Sequence, residues 1–81
     1  MPYTASVNVM LKDGISDPQG QTIERALPAL GYEGVSGVRV GKRIDLEIEA
    51  STPDEARSQV EEMCRRLLAN PVIESYEVIV R

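Results

Sequence analysis

Apolar and polar residues alternate in the first stretch of this chain. Tyr3, Ala5, Val7, Val9 and Leu11 share one parity, and Thr4, Ser6 and Asn8 take the other. That period of two marks a half-buried strand. Met10 interrupts the polar parity and marks a place where this face meets a partner. The period then lengthens. Ile23, Ala26, Leu27 and Leu30 recur at the i, i+3, i+4, i+7 spacing of a helix face. Asp17 stands as its N-cap, with Pro18 at the first helical position, where a missing N–H costs nothing. Gly31 closes it. Pro28 removes the bond to the Glu24 carbonyl, so the expectation is one kinked helix rather than two segments.

Alternation returns over 35–50. Val38, Val40, Ile44, Leu46, Ile48 and Ala50 fall on one parity, with Arg39, Asp45, Glu47 and Glu49 on the other. A hairpin looping at Gly41-Lys42-Arg43 places Val40 opposite Ile44 and Val38 opposite Leu46. One long strand bent at Gly41 keeps the same parity, and both arrangements stay open. Thr52-Pro53-Asp54-Glu55 is a capping box with proline at N1. Ala56, Val60, Met63, Cys64 and Leu67 form the stripe behind it, and Asn70-Pro71 ends the helix. Residues 72–80 form a last strand, with Tyr76, Val78 and Val80 on one face and Ile79 on the other. The order β-α-β(β)-α-β predicts an α+β fold related to the ferredoxin-like arrangement, an antiparallel sheet with two helices on one face.

Length sharpens this picture. Eighty-one residues make a single domain, 1–81, with a thin core. Domains of this size commonly lean on disulfides, metals or self-association. One cysteine and no histidine leave neither an internal disulfide nor an ordinary zinc site, so a homo-oligomer, dimer or tetramer, is expected. A net charge of −4 and the absence of Phe and Trp argue against nucleic acid. No apolar run approaches a membrane span. Met1-Pro2-Tyr3-Thr4-Ala5 has no signal-peptide pattern, and the expectation is a soluble cytoplasmic protein.

Candidate chemistry is sparse. A Cys64 nucleophile would need a base to form thiolate, and its place between Val60 and Leu67 suits a small core residue. Asp17-Pro18-Gln19-Gly20 places a glycine in a helical first turn. A lone glycine is a weak phosphate signal, and Asp17 would repel an anion, so a helix start or a contact surface fits better. Arg39, Lys42 and Arg43 gather charge around Gly41, as a solvated turn or as a docking contact for an acidic patch. Asp45, Glu47 and Glu49 read as a solvated sheet face. No catalytic or metal site is expected on this chain.

The runs "LKDGISDPQG", "ALPALGY", "VSGVRVGKRIDLEI" and "CRRLLANPVIESYEV", in this order and spacing, resemble the PurS family across nearly the whole chain. That family is the small subunit of phosphoribosylformylglycinamidine (FGAM) synthase in de novo purine biosynthesis. The resemblance implies a non-catalytic subunit of a ligase complex that uses formylglycinamide ribonucleotide, glutamine and ATP. It implies two partners: a glutaminase, PurQ, and a synthetase, PurL, which binds the ATP and Mg²⁺. The chain itself would need no cofactor, and would join the two and help ammonia pass. Asp17, Pro18, Gln19, Gly20, Arg39, Gly41 and Lys42 are the candidate contact residues. Two other classes stay open: an ACT-like module binding small molecules at a dimer interface, and a small standalone enzyme using the carboxylates or Arg39 and Lys42.

Overall fold

A computed structural model describes residues 1–81. Strand β1 spans Pro2–Leu11 and helix α1 spans Pro18–Ala26, continuing without a break into a 3₁₀ turn, Leu27–Leu30. Strand β2 spans Gly41–Glu49, helix α2 spans Pro53–Met63 with a widened π turn at Cys64–Leu68, and strand β3 spans Glu74–Val80. The sheet is antiparallel in the order β2-β1-β3. This is the expected α+β class.

Register follows from the alternation. Val7 stands opposite Ile44 on one side and Val78 on the other, and Ala5 lies between Leu46 and Val80. The apolar parity therefore lies on one face, where α2 crosses β1 and β3. Ala56, Val60 and Cys64 meet Ala5, Val7, Val9, Ile48 and Val78 there. A fully buried valine such as Val7 or Val60 contributes about 1.5–3 kcal/mol. The Thr52 side chain caps α2 by accepting from the Glu55 N–H at 3.0 Å, and Glu55 reaches back to the Ser51 N–H.

Three local features depart from the sequence pattern. Pro28 does not bend an α-helix; it sits in the first turn of the 3₁₀ segment, where its missing N–H is harmless. Gly31 ends that segment at φ +93°, as a closing glycine should. At the end of α2 the π turn adds a residue to the turn. Leu68 packs against the core in place of Leu67, which is 82% exposed. Finally, 35–40 form neither a hairpin arm nor a paired strand. Gly34 and Gly37 adopt positive φ, and pairing begins only at Gly41.

Helix α1 barely touches the sheet. It lies instead along 38–40, and its apolar stripe stays open: Ile23 is 44% exposed and Leu30 71%. The protomer is correspondingly long, with extents of 51 × 25 × 14 Å. No helix is long and apolar enough to cross a membrane.

Candidate functional site

The two polar motifs, twenty residues apart in sequence, meet in space. Asp17 accepts from the Gly20 N–H at 3.0 Å as the N-cap of α1. Its second oxygen accepts from the Val40 N–H at 2.8 Å. Two turns on from Asp17, Glu24 accepts from the Val38 N–H at 3.0 Å. Gly20, the only buried residue of α1, lets the helix approach the Val38 carbonyl so closely that a Cβ would collide with it. Asp17, Gly20 and Glu24 fasten α1 to the segment preceding β2. The Gly20 N–H, then the Val40 N–H, and less strongly the Arg39 charge, hold the Asp17 carboxyl below its ordinary value.

Beside this joint lies a cleft of about 240 Å³, lined by Val9, Leu11, Asp17, Pro18, Gln19, Val40, Gly41, Lys42 and Glu74. Five of the seven candidate contact residues, Asp17, Pro18, Gln19, Gly41 and Lys42, line it directly. Gly20 lies beneath, against Val38. Arg39 stands apart from them: its guanidinium pairs with Asp13 at 3.1 Å and donates to the Leu11 carbonyl. It braces the loop after β1 and is not a free cation. The Lys42 side chain makes no hydrogen bond or ion pair within the chain. Gly41 is pressed against Met10 and the Val9 carbonyl, which explains a glycine where β2 begins. Both carboxylates at the cleft are engaged, Asp17 as above and Glu74 by the Asn70 N–H at 2.7 Å. The cleft thus offers one free cation, one free amide side chain at Gln19 and an apolar floor, with no nucleophile or base.

Elsewhere the chemistry is equally structural. Cys64 is fully buried, and burial first, then the Glu61 charge, push its thiol up. On the sheet's other face Ser6 is 1% exposed. Its hydroxyl donates to Asp45 at 2.7 Å and accepts from Arg43 at 3.1 Å and Arg81 at 3.0 Å. Sequence reading missed this network, because alternation placed Ser6 among solvated residues. Its signal is the register that sets Asp45 opposite Ser6. The Ser6 hydroxyl, then Arg43, hold the Asp45 carboxyl below its ordinary value.

A three-stranded antiparallel sheet covered by one helix, with a second helix carried outward beside a polar cleft, defines a small α+β module. Residues 4–81 match the family model described as PurS: Phosphoribosylformylglycinamidine (FGAM) synthase. The FGAM synthase subunit PurS of Methanocaldococcus jannaschii is 46% identical over 76 residues, covering 94% of this chain and 92% of that one. Its crystal structure, of one of the subunits of formylglycinamide ribonucleotide amidotransferase in the purine biosynthetic pathway, superposes with a TM-score of 0.87 over 98% of this chain and 95% of that one. A chain of the PurLQS structure from Thermotoga maritima, 37% identical, superposes with a TM-score of 0.91 over 100% and 99%. The chain belongs to the PurS family of FGAM synthase subunits.

Proposed function

We propose that this chain is the non-catalytic small subunit of a cytoplasmic FGAM synthase. As a homo-oligomer it holds a PurQ-type glutaminase to a PurL-type synthetase and assists the passage of ammonia between them. The complex turns formylglycinamide ribonucleotide, glutamine, ATP and water into formylglycinamidine ribonucleotide, glutamate, ADP and phosphate. ATP and Mg²⁺ belong to the synthetase, and this chain carries no cofactor. The observation behind this reading is the end-to-end likeness to a chain of PurLQS, joined to a surface that has contact groups but no reactive ones. Membership of this family gives no support to the ACT-like alternative.

The contact surface is the cleft between the start of α1 and the start of β2, with Pro18, Gln19, Gly41 and Lys42 at its wall and Asp17, Gly20 and Arg39 shaping it. Gln19 tests this cleanly, because its side chain has no partner in the protomer. Gln19→Arg is expected to leave thermal stability and oligomeric mass unchanged, since surface substitutions shift stability by under about 0.5 kcal/mol. Glutamine-dependent synthesis in a reconstituted complex should fall, with ammonia-dependent synthesis less affected. Unchanged glutamine-dependent activity across a titration of the small subunit would remove the cleft from the contact surface.

A further inference from the structure

The central strand β1 divides its hydrogen bonds between two neighbours, and that division decides which groups β3 leaves open. Thr4 and Arg81 exchange both backbone bonds, at 3.2 and 2.8 Å. In an antiparallel ladder such exchanging pairs recur at every second residue. Ser6 faces Ile79, Asn8 faces Glu77 and Met10 faces Ser75, so these are the residues of β3 bonded to β1. The N–H and C=O groups of Tyr76, Val78 and Val80 therefore point to the outer side of β3, where the sheet ends.

An edge of this kind is a template on which another chain can pair. Residues 75–80, "SYEVIV", are rich in aromatic and β-branched side chains, with Glu77 as their only charge and no proline. Short segments of that composition pair readily with copies of themselves. The usual safeguards are missing. β3 holds no lysine, and its register runs from Ala5–Val80 to Leu11–Glu74 without a bulge. Its first outward N–H, at Glu74, is taken by the Asn70 carbonyl at 2.7 Å. At the centre one side chain closes the edge. The Arg57 guanidinium, carried by α2, donates to the Val78 carbonyl at 2.6 Å.

We propose that Arg57 guards this edge, keeping β3 from pairing with the β3 of another copy. The role is separate from the subunit function proposed above and uses none of the cleft residues. Arg57 enters no ion pair; its bond goes to the backbone of the strand that α2 crosses. An added strand would lie about 4.8 Å from β3. Its N–H would approach the Val78 carbonyl from the place the guanidinium nitrogen occupies. The two bonds exclude each other.

The excluded pairing is self-complementary. Two β3 edges run antiparallel about Val78 set Tyr76 against Val80 of the other copy, and Val78 against its own equivalent. Both of the central bonds then require a Val78 carbonyl, the atom Arg57 holds. An incoming strand must displace the cation or bury it unpaired, and burying an unpaired charge is costly. Tyr76 and Val80 keep open groups on either side of Arg57, but the interruption at Val78 leaves no continuous ladder between them.

The test compares two charge-matched variants. Arg57→Gln has a side chain too short to reach the Val78 carbonyl and adds no apolar surface. Arg65→Gln loses the same charge from the continuation of the same helix, where no hydrogen bond is lost. Both are incubated well below their measured melting temperatures, and mass is followed by light scattering. Arg57→Gln should rise at least twofold above the parent mass, while Arg65→Gln stays with the parent. Hydrogen exchange locates the contact. In the parent the Tyr76, Val78 and Val80 amides should exchange faster than those of Ser75, Glu77 and Ile79, and in the Arg57→Gln assemblies they should become protected. Parental mass in Arg57→Gln, or equal growth in Arg65→Gln, would overturn the proposal. Growth that leaves the three outer amides exchanging at the parental rate would overturn it as well.

Discussion

Gly20→Ala sets two local effects against each other, and the structure decides between them. Alanine is the better helix former by about 1 kcal/mol, and residue 20 lies in the first turn of α1, so propensity alone makes the change stabilising. Packing says otherwise. The new methyl would collide with the Val38 carbonyl and stand 2.7 Å from the Asp17 carboxylate. Both are held, the first by backbone and the second by two hydrogen bonds. Relieving such an overlap costs about 1–3 kcal/mol, and opening the joint also loosens the bonds to Val38 and Val40. The net expectation is a loss of about 1–2 kcal/mol. In a domain this size each kcal/mol lowers the melting temperature by about 4–8 °C. Thermal unfolding followed by circular dichroism, at one fixed protomer concentration, reads it directly. Gly20→Ala that melts at or above the parent temperature would mean that α1 is not fastened to 38–40 in the way described.

Cys64→Ala should retain glutamine-dependent activity in the complex and lose about 1 kcal/mol from packing; complete loss of turnover in a folded variant would contradict its core role. In the native chain the buried thiol should react with a disulfide reagent at pH 8 far more slowly than in denaturant. Arg39→Glu should lower the melting temperature by removing the brace between Asp13 and the Leu11 carbonyl, unlike the neutral Gln19→Arg; a parental melting curve would refute that brace. Asp17 and Asp45 are held below their ordinary value of 3.8, so the folded state binds fewer protons than the unfolded one. Their contribution is present above that value and is lost as pH falls through the lower folded values. Urea midpoints measured from pH 7 down to 3 should fall at the acid end, and less steeply in Asp45→Asn; identical slopes would remove the Ser6–Asp45–Arg43 network from the account.

Strands and caps were legible because their signals are local. Alternation at 3–11 locates β1 and its buried parity, and Asp17-Pro18 and Thr52-Pro53 mark both helix starts to the residue. What α1 packs against was not legible. Periodicity says that Ile23 and Leu30 are apolar on one side, and carries no information about which surface covers them. The π turn escaped for a related reason: Met63, Cys64 and Leu67 fit a regular helix, and the choice of Leu68 over Leu67 is made by the sheet underneath. The candidate contact residues were found as two separate motifs. Their meeting in one cleft depends on the Asp17–Val40 and Glu24–Val38 bonds, which span 23 and 14 residues. Arg39 was grouped with Lys42 by charge alone, and only the fold shows that one is engaged and the other free.

The scaffold reading is tested most directly by reconstitution. Purified glutaminase and synthetase subunits are mixed with and without this chain, and FGAM formation is measured with glutamine and, separately, with ammonia. The account predicts that adding the chain raises the glutamine-dependent rate severalfold and yields one species containing all three subunits by native mass. Ammonia-dependent synthesis should change much less, and the chain alone should show no turnover. Equal glutamine-dependent rates with and without the chain, or turnover by the chain alone, would contradict it.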